Sequence, residues 1–193
     1  CQAMEAAVAR DRLSEALLDD DCLNALWALV DSGVAAQIIP ELPALALEQD
    51  PIHKHKDVLA HTIAVTAKTR ADLVLRLAAL FHDIGKPLTR KIDDDGVTFR
   101  HHEAVGAKMA KKRLRQLEYP DDVVSDVAEL VRLSGRFKGY ASGWSDSAVR
   151  RYARDAGHLL GLLNELVRSD CTTRNQRKRL ELHHHVDAIE ERI

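Results

Sequence analysis

With 193 residues the chain is long enough for one substantial core, and no apolar run approaches the roughly 20 residues needed to span a bilayer. The opening Cys-Gln-Ala-Met-Glu is neither a signal peptide nor a basic targeting stretch, and three scattered cysteines (Cys1, Cys22, Cys171) argue against a disulfide framework or a zinc knuckle, so a reducing, cytoplasmic setting is the simplest reading. Charge is uneven: residues 1–52 hold ten acidic residues against two basic ones, net −8, and the remainder is net +6, which permits a polyanionic partner.

Glycine and proline mark boundaries, and nearly everything between them has helical period. A first amphipathic helix is expected over about 6–18, stopped by Asp19-Asp20-Asp21, and a second over about 23–31, with Leu23, Leu26, Trp27 and Val30 on one face and Ser32-Gly33 at its end. Ile39-Pro40-Glu41-Leu42-Pro43 reads as a rigid connector, because each proline fixes its own φ and disfavours helix before it. A boundary near residue 50 divides a helical segment, 1–50, from a larger domain, 51–193. A long helix from Asp57 to about Lys68 is followed by another over about 71–83. Leu88-Thr89-Arg90-Lys91-Ile92 and Val97-Thr98-Phe99-Arg100 flank Asp93-Asp94-Asp95-Gly96, a hairpin signal whose turn ends in Asp-Gly. Helix returns at about 102–118, with Ala104, Val105, Met109 and Leu117 as candidate core positions, and again at about 122–133. Residues 134–145 are glycine-rich and irregular. Ser145 or Asp146 caps a helix to about 156, and helices over about 158–170 and 175–192 close an all-α chain with one small hairpin.

The chemistry centres on Leu77-Ala78-Ala79-Leu80-Phe81-His82-Asp83-Ile84-Gly85-Lys86. Leu77, Leu80, Phe81 and Ile84 have the spacing of a buried helical face, and polar residues set into such a face carry a desolvation cost that calls for a partner. Adjacent helical residues point about 100° apart, so His82 and Asp83 can share one ion only near a helix end, which Gly85 is expected to supply. With His61 and Asp170 they would give two imidazoles and two carboxylates, a set suited to Mn, Fe, Co, Ni, Zn or Mg. Taken singly, each of these residues is also what a helix cap or a core hydrogen bond uses, and spacing alone leaves both readings open.

His61 on a helix, then His82-Asp83-Ile84-Gly85-Lys86, then a distant Asp170, resembles the HD superfamily of metal-dependent phosphohydrolases. Further segments sharpen this: His55-Lys56-Asp57-Val58, Phe81 through Pro87, His101-His102-Glu103 with Gly106-Ala107-Lys108, Ser147 through Asp155, and Asp170-Cys171-Thr172-Thr173-Arg174-Asn175. Together they resemble the HD domain attached to bacterial tRNA nucleotidyltransferases, the family of CCA-adding enzymes and poly(A) polymerases. The resemblance covers about 38–193, and residues 1–37 resemble the helical neck and body that precede that domain. It implies an all-α HD bundle in which His61, His82, Asp83 and Asp170 hold a divalent metal.

By the same resemblance His82, Asp83, Lys86 and His102 would be the catalytic group, acting on phosphate ends or 2′,3′-cyclic phosphates. Lys86 would approach a substrate phosphate, with a solvated charge as its alternative. His102 would be an outer ligand or phosphate contact, and His101 or His102 could instead cap the following helix. Serine at Ser134, where related sequences tend to carry histidine, implies a mononuclear site with weak or lost hydrolysis, and Arg136 and Lys138 could take over some phosphate binding. Lys108, Lys111, Lys112, Arg113 and Arg115 form one basic cluster and Arg174, Arg177, Lys178 and Arg179 another. Either can be a solvated face; with the resemblance, Lys108, Lys112 and Arg174 become candidate tRNA-backbone contacts. His183-His184-His185 is assigned no role.

The sequence starts without methionine and without the nucleotidyltransferase head that lies upstream in that family, so it reads as a fragment that cannot by itself add CCA to tRNA. Two other readings stay open: a free-standing HD nucleotidase or phosphodiesterase, and a catalytically silent RNA-binding module. Residues 1–50 are the part expected to dock elsewhere or to pair with another chain in a homo-oligomer.

Overall fold

A computed structural model describes residues 5–47, 57–93, 96–137, 143–171 and 175–193. Among these the chain is helical apart from one two-stranded hairpin. Among the described residues no helix is long and apolar enough to cross a membrane.

Helices α1 (Ala6–Leu18) and α2 (Cys22–Asp31) match the periodicity; Asp21 caps α2 by accepting the Asn24 N–H at 3.3 Å. After Gly33, at φ 76°, comes a short α3 (Val34–Ile38), just before the connector, where the sequence pattern marks no element. Five residues are too few for a periodic signal, yet Ala35 and Ile38 are buried. The expected boundary near residue 50 falls outside the described residues. On its N-terminal side, Leu13, Leu17, Leu26 and Ile38 belong to the same continuous apolar core as the later helices.

Helix α4 (Val58–Lys68) begins where Asp57 accepts the Leu59 N–H at 3.0 Å, and α5 (Leu73–Phe81) where Asp72 accepts that of Leu75 at 3.0 Å. Residues 75–81 are all buried, so α5 is the central helix of the bundle rather than a one-faced one. Arg76 is buried within it, and its guanidinium is spent on backbone carbonyls, donating to Leu17, Asp19 and Thr69. It thereby caps the end of α1 from inside the core, satisfying carbonyls that a helix terminus leaves orphaned.

A one-turn helix α6 (Lys86–Thr89) precedes the hairpin of β1 (Arg90–Asp93) and β2 (Gly96–Phe99). The strand expected from Leu88 therefore starts two residues late, because Leu88 and Thr89 complete α6. Pairing runs from Arg90↔Phe99 to Asp93↔Gly96; Asp94 and Asp95 of the expected turn lie outside the described residues.

Helix α7 (His102–Gln116) bears out the expected face in part: Leu117, at its end, is buried and Met109 packs against the core. Ala104 is exposed, while Gly106, Ala107, Ala110 and Leu114 are buried. These mostly small residues let α7 pack closely on α8 (Asp121–Leu133). Ser145 caps α9 (Asp146–Ala156), accepting the Ala148 N–H at 3.3 Å. Helices α10 (Leu160–Asp170) and α11 (Gln176–Glu190) complete the bundle. The Tyr152 hydroxyl donates to Asn164 at 2.7 Å, and the Asn164 amide to Glu190 at 2.8 Å, linking α9, α10 and α11.

Candidate metal centre

Three segments meet at one point: the first half of α4, the turn after α5, and the last residue of α10. Helix α5 ends at Phe81, with His82 as its C-cap, so His82 and Asp83 lie in the tight turn between α5 and α6. The expected helix end is there, but Gly85 does not make it by adopting a left-handed conformation; its φ is −77°. Its role is close approach. A Cβ on Gly85 would stand 2.1 Å from the His102 carbonyl oxygen and 2.8 Å from the Gly106 nitrogen, so only glycine lets the turn rest on the start of α7.

Ligand atoms of His61, His82 and Asp83 all lie within 4.8 Å of one another, a group able to hold a metal ion. Asp170 joins it from α10: its Oδ1 is 2.9 Å from His61 Nε2 and 3.4 Å from His82 Nε2. The two imidazoles stand edge to face, 5.6 Å apart.

His82 decides whether these residues suit a cation. Its Nδ1 donates to the Ala79 carbonyl at 2.6 Å, since a carbonyl can only accept, and Nε2 is the atom left to face the carboxylates. That Nε2 is fully buried and, among the described residues, has no hydrogen-bond partner, although Asp83 Oδ2 lies 3.3 Å away and Asp170 Oδ1 3.4 Å. A buried, unpartnered nitrogen aimed between two carboxylates is a poor arrangement by itself and a good one around a positive ion.

The same carboxylates favour a proton on Nε2, which a metal ion would displace. Burial alone pulls the His82 imidazole down, but Asp83 and Asp170 outweigh it and hold its pKa up at about 10. Burial alone would raise both carboxyls; His82 and Lys86 instead hold Asp83, and His61 and His82 hold Asp170, well below the usual carboxylate range. The pocket is thus an anionic pair that draws positive charge onto whatever sits between.

Lys86 is buried rather than solvated. Its ammonium donates to Asp83 Oδ2 at 2.6 Å and lies 5.6 Å from the centre of the Phe99 ring. That i,i+3 pairing was present in the sequence, but nothing there marked the lysine as buried. His102 is also buried; its Nδ1 donates to the Phe99 carbonyl at 2.7 Å and its Nε2 faces Asp83 Oδ1 at 3.5 Å. His101 is exposed at the N-cap of α7 with φ 63° and makes no side-chain cap.

Arg136 pairs with Asp155 at 2.7 Å. Lys108 lines, with Lys111 and Arg132, a groove of about 360 Å³ between α7 and α8 whose lining includes none of the His-Asp group, and Lys112 is exposed on α7. Lys138 and Arg174 fall outside the described residues. Ser134 donates to the Val131 carbonyl at 2.9 Å, capping its own helix.

Comparison with known proteins follows the same outline. Residues 58–170 match the HD domain family, from the first residue of α4 to Asp170. The chain is 39% identical over 140 residues to the CC-adding tRNA nucleotidyltransferase of Thermus thermophilus, covering 66% of this chain and 32% of that protein. It is 34% identical over 131 residues to the A-adding tRNA nucleotidyltransferase of Deinococcus radiodurans (64% and 30%), and 32% identical over 136 residues to the Multifunctional CCA protein of Pseudomonas paraeruginosa (67% and 31%). The chain thus spans about a third of the length of these relatives. The family match covers more than half of the sequence and runs through His61, His82, Asp83 and Asp170: this chain belongs to the HD domain family.

Proposed function

We propose that this chain is the HD-domain portion of a tRNA nucleotidyltransferase, with residues 1–50 as the helical neck or body and 51–193 as the HD domain. It would hold one divalent ion at His61, His82, Asp83 and Asp170 and cleave phosphate esters at RNA or nucleotide ends. The observation that carries this reading is the buried His82 Nε2, without a partner between two carboxylates. An ion held there supplies Lewis acidity toward a phosphate oxygen. The chain's own residues do the rest. Lys86 takes Asp83 Oδ2, and His102 Nε2 stands 3.5 Å from Oδ1 on the other side of the carboxylate. Lys86 also brings a positive charge to the site, where a phosphate oxygen of the substrate would meet it. Lys108 and Lys112, on the exposed side of α7, would attract the RNA backbone, with His101, Arg136, Lys138 and Arg174 as further contacts.

One observation favours a second reading. The His61–Asp170 pair, at 2.9 Å, already joins α4 to α10, and the α5–α6 turn meets both through Asp83, 3.9 Å from His61, and His82, 3.4 Å from Asp170. A silent RNA-binding module could use the cluster only as that staple. Incubation with Mn or Ni and 2′,3′-cyclic nucleotides separates the two. The expected result is ring opening that requires the ion; an ion-loaded chain that turns over none of the four cyclic nucleotides would leave the silent module.

A further inference from the structure

The last residue of α10 carries the fourth candidate ligand, and a helix end is a poor anchor. Its final carbonyls have no partner within the helix, and the negative end of the helix dipole disfavours a carboxylate there. Asp170 is that residue, and Cys171 after it leaves the helix for extended backbone. Something outside α10 must hold the segment.

Lys68 is at the other end of α4 from the metal centre, two helical turns after His61 and therefore on the same side of the helix. Its ammonium donates to the carbonyls of Arg168 (3.2 Å), Ser169 (3.4 Å) and Cys171 (3.1 Å). An ammonium has three N–H groups, and three acceptors surround this one, on both sides of Asp170 in the chain. Helix α4 thus grips the end of α10 twice: His61 takes the Asp170 carboxylate at 2.9 Å, and Lys68 takes the backbone that presents it. A third tie lies further along α10, where the Arg70 N–H donates to Glu165 at 2.9 Å and the Arg70 guanidinium pairs with the same carboxylate. That tie does not touch residues 168–171.

We infer that Lys68 is a positioning residue for the metal centre, setting the Asp170 carboxylate by capping the end of α10. The inference rests on the metal reading of the His-Asp group. It separates Lys68 from Glu165: Lys68 joins α4 to α10, Glu165 holds α10 to Arg70 in the connection after α4, and of the two Lys68 fixes the backbone beside the ligand. Groups that orient a metal ligand through a neighbour typically change affinity by about 10- to 100-fold when removed.

The test is titration of the full chain with Mn by calorimetry, with Co absorption as a second readout of the ligand set. Lys68→Met should weaken Mn binding at least about 10-fold and change the Co visible bands. Lys68→Arg, which still offers N–H donors to carbonyls, should recover most of the affinity. Glu165→Gln should lose stability yet bind Mn within about 2-fold of wild type, the tie being remote from residues 168–171. Lys68→Met binding Mn as wild type does, with unchanged Co bands, would overturn the assignment of Lys68 alone. A wild-type chain that takes up neither ion would overturn the metal reading and this inference with it.

Discussion

Asp83→Asn should lower divalent-metal affinity by about 100-fold or more, beyond the loss seen when only a supporting group is removed. The carboxylate is the hub of the site: Oδ2 lies 3.3 Å from His82 Nε2 and 2.6 Å from the Lys86 ammonium, and Oδ1 is 3.5 Å from His102 Nε2. The same substitution has a second consequence. Lys86 is buried, and without the Asp83 charge it becomes an uncompensated cation in the core, at a cost of about 3–5 kcal/mol. Loss of metal by Asp83→Asn alone could therefore be mistaken for unfolding. Asp83→Asn combined with Lys86→Met removes the stranded charge together with its partner. The double variant should recover most of the stability in a urea titration and still bind no metal. If it recovers both, Asp83 serves the fold and is no ligand.

Gly85→Ala should be as damaging although position 85 offers no ligand atom. The added Cβ would meet the His102 carbonyl oxygen at 2.1 Å, the Gly106 nitrogen at 2.8 Å and the His102 carbonyl carbon at 3.0 Å, all of them backbone. No side chain can rotate away, so the α5–α6 turn must separate from α7. Forcing extra volume into a packed contact costs about 1–3 kcal/mol, and a clash with rigid main chain belongs at or above the upper end. Since that turn carries His82 and Asp83 and meets α7 at His102, the shift should also weaken metal binding. The expected outcome is a lower urea midpoint with reduced Mn affinity in the fraction that remains folded. Unchanged stability would mean that the turn does not rest on α7 as closely as 2.1 Å implies. The strain here is one of space, not of backbone angle, since φ at Gly85 is −77°.

How far the sequence reveals this arrangement depends on the kind of signal. Long helices with apolar period, α1, α2, α4, α8 and α9, stand close to where periodicity puts them, because burying one stripe is what creates the pattern. His82 and Asp83 were legible as a pair near a helix end. Short elements were not. The five residues of α3 and the four of α6 are shorter than any periodic window, and Leu88-Thr89 read as strand from its composition although it finishes a helical turn. The buried face of α7 is legible only in part, because it includes Gly106, which no hydrophobic pattern marks.

Engaged cations, buried or not, are the least visible. Lys86, Arg76 and the engaged ammonium of Lys68 spend their charges on a neighbouring carboxylate or on backbone carbonyls. Carbonyls leave no trace in the identity of the residues that own them, so such a partner cannot be read before the fold is known.

The central claim is that His61, His82, Asp83 and Asp170 form one site for one divalent ion. Metal content after reconstitution tests it most directly: the chain is stripped with chelator, loaded with Mn or Ni, desalted, and measured by elemental analysis against protein concentration. The account expects about one ion per wild-type chain and close to none for the folded Asp83→Asn/Lys86→Met variant. A wild-type chain that retains no ion from either metal, or a double variant that retains as much as wild type, would contradict it.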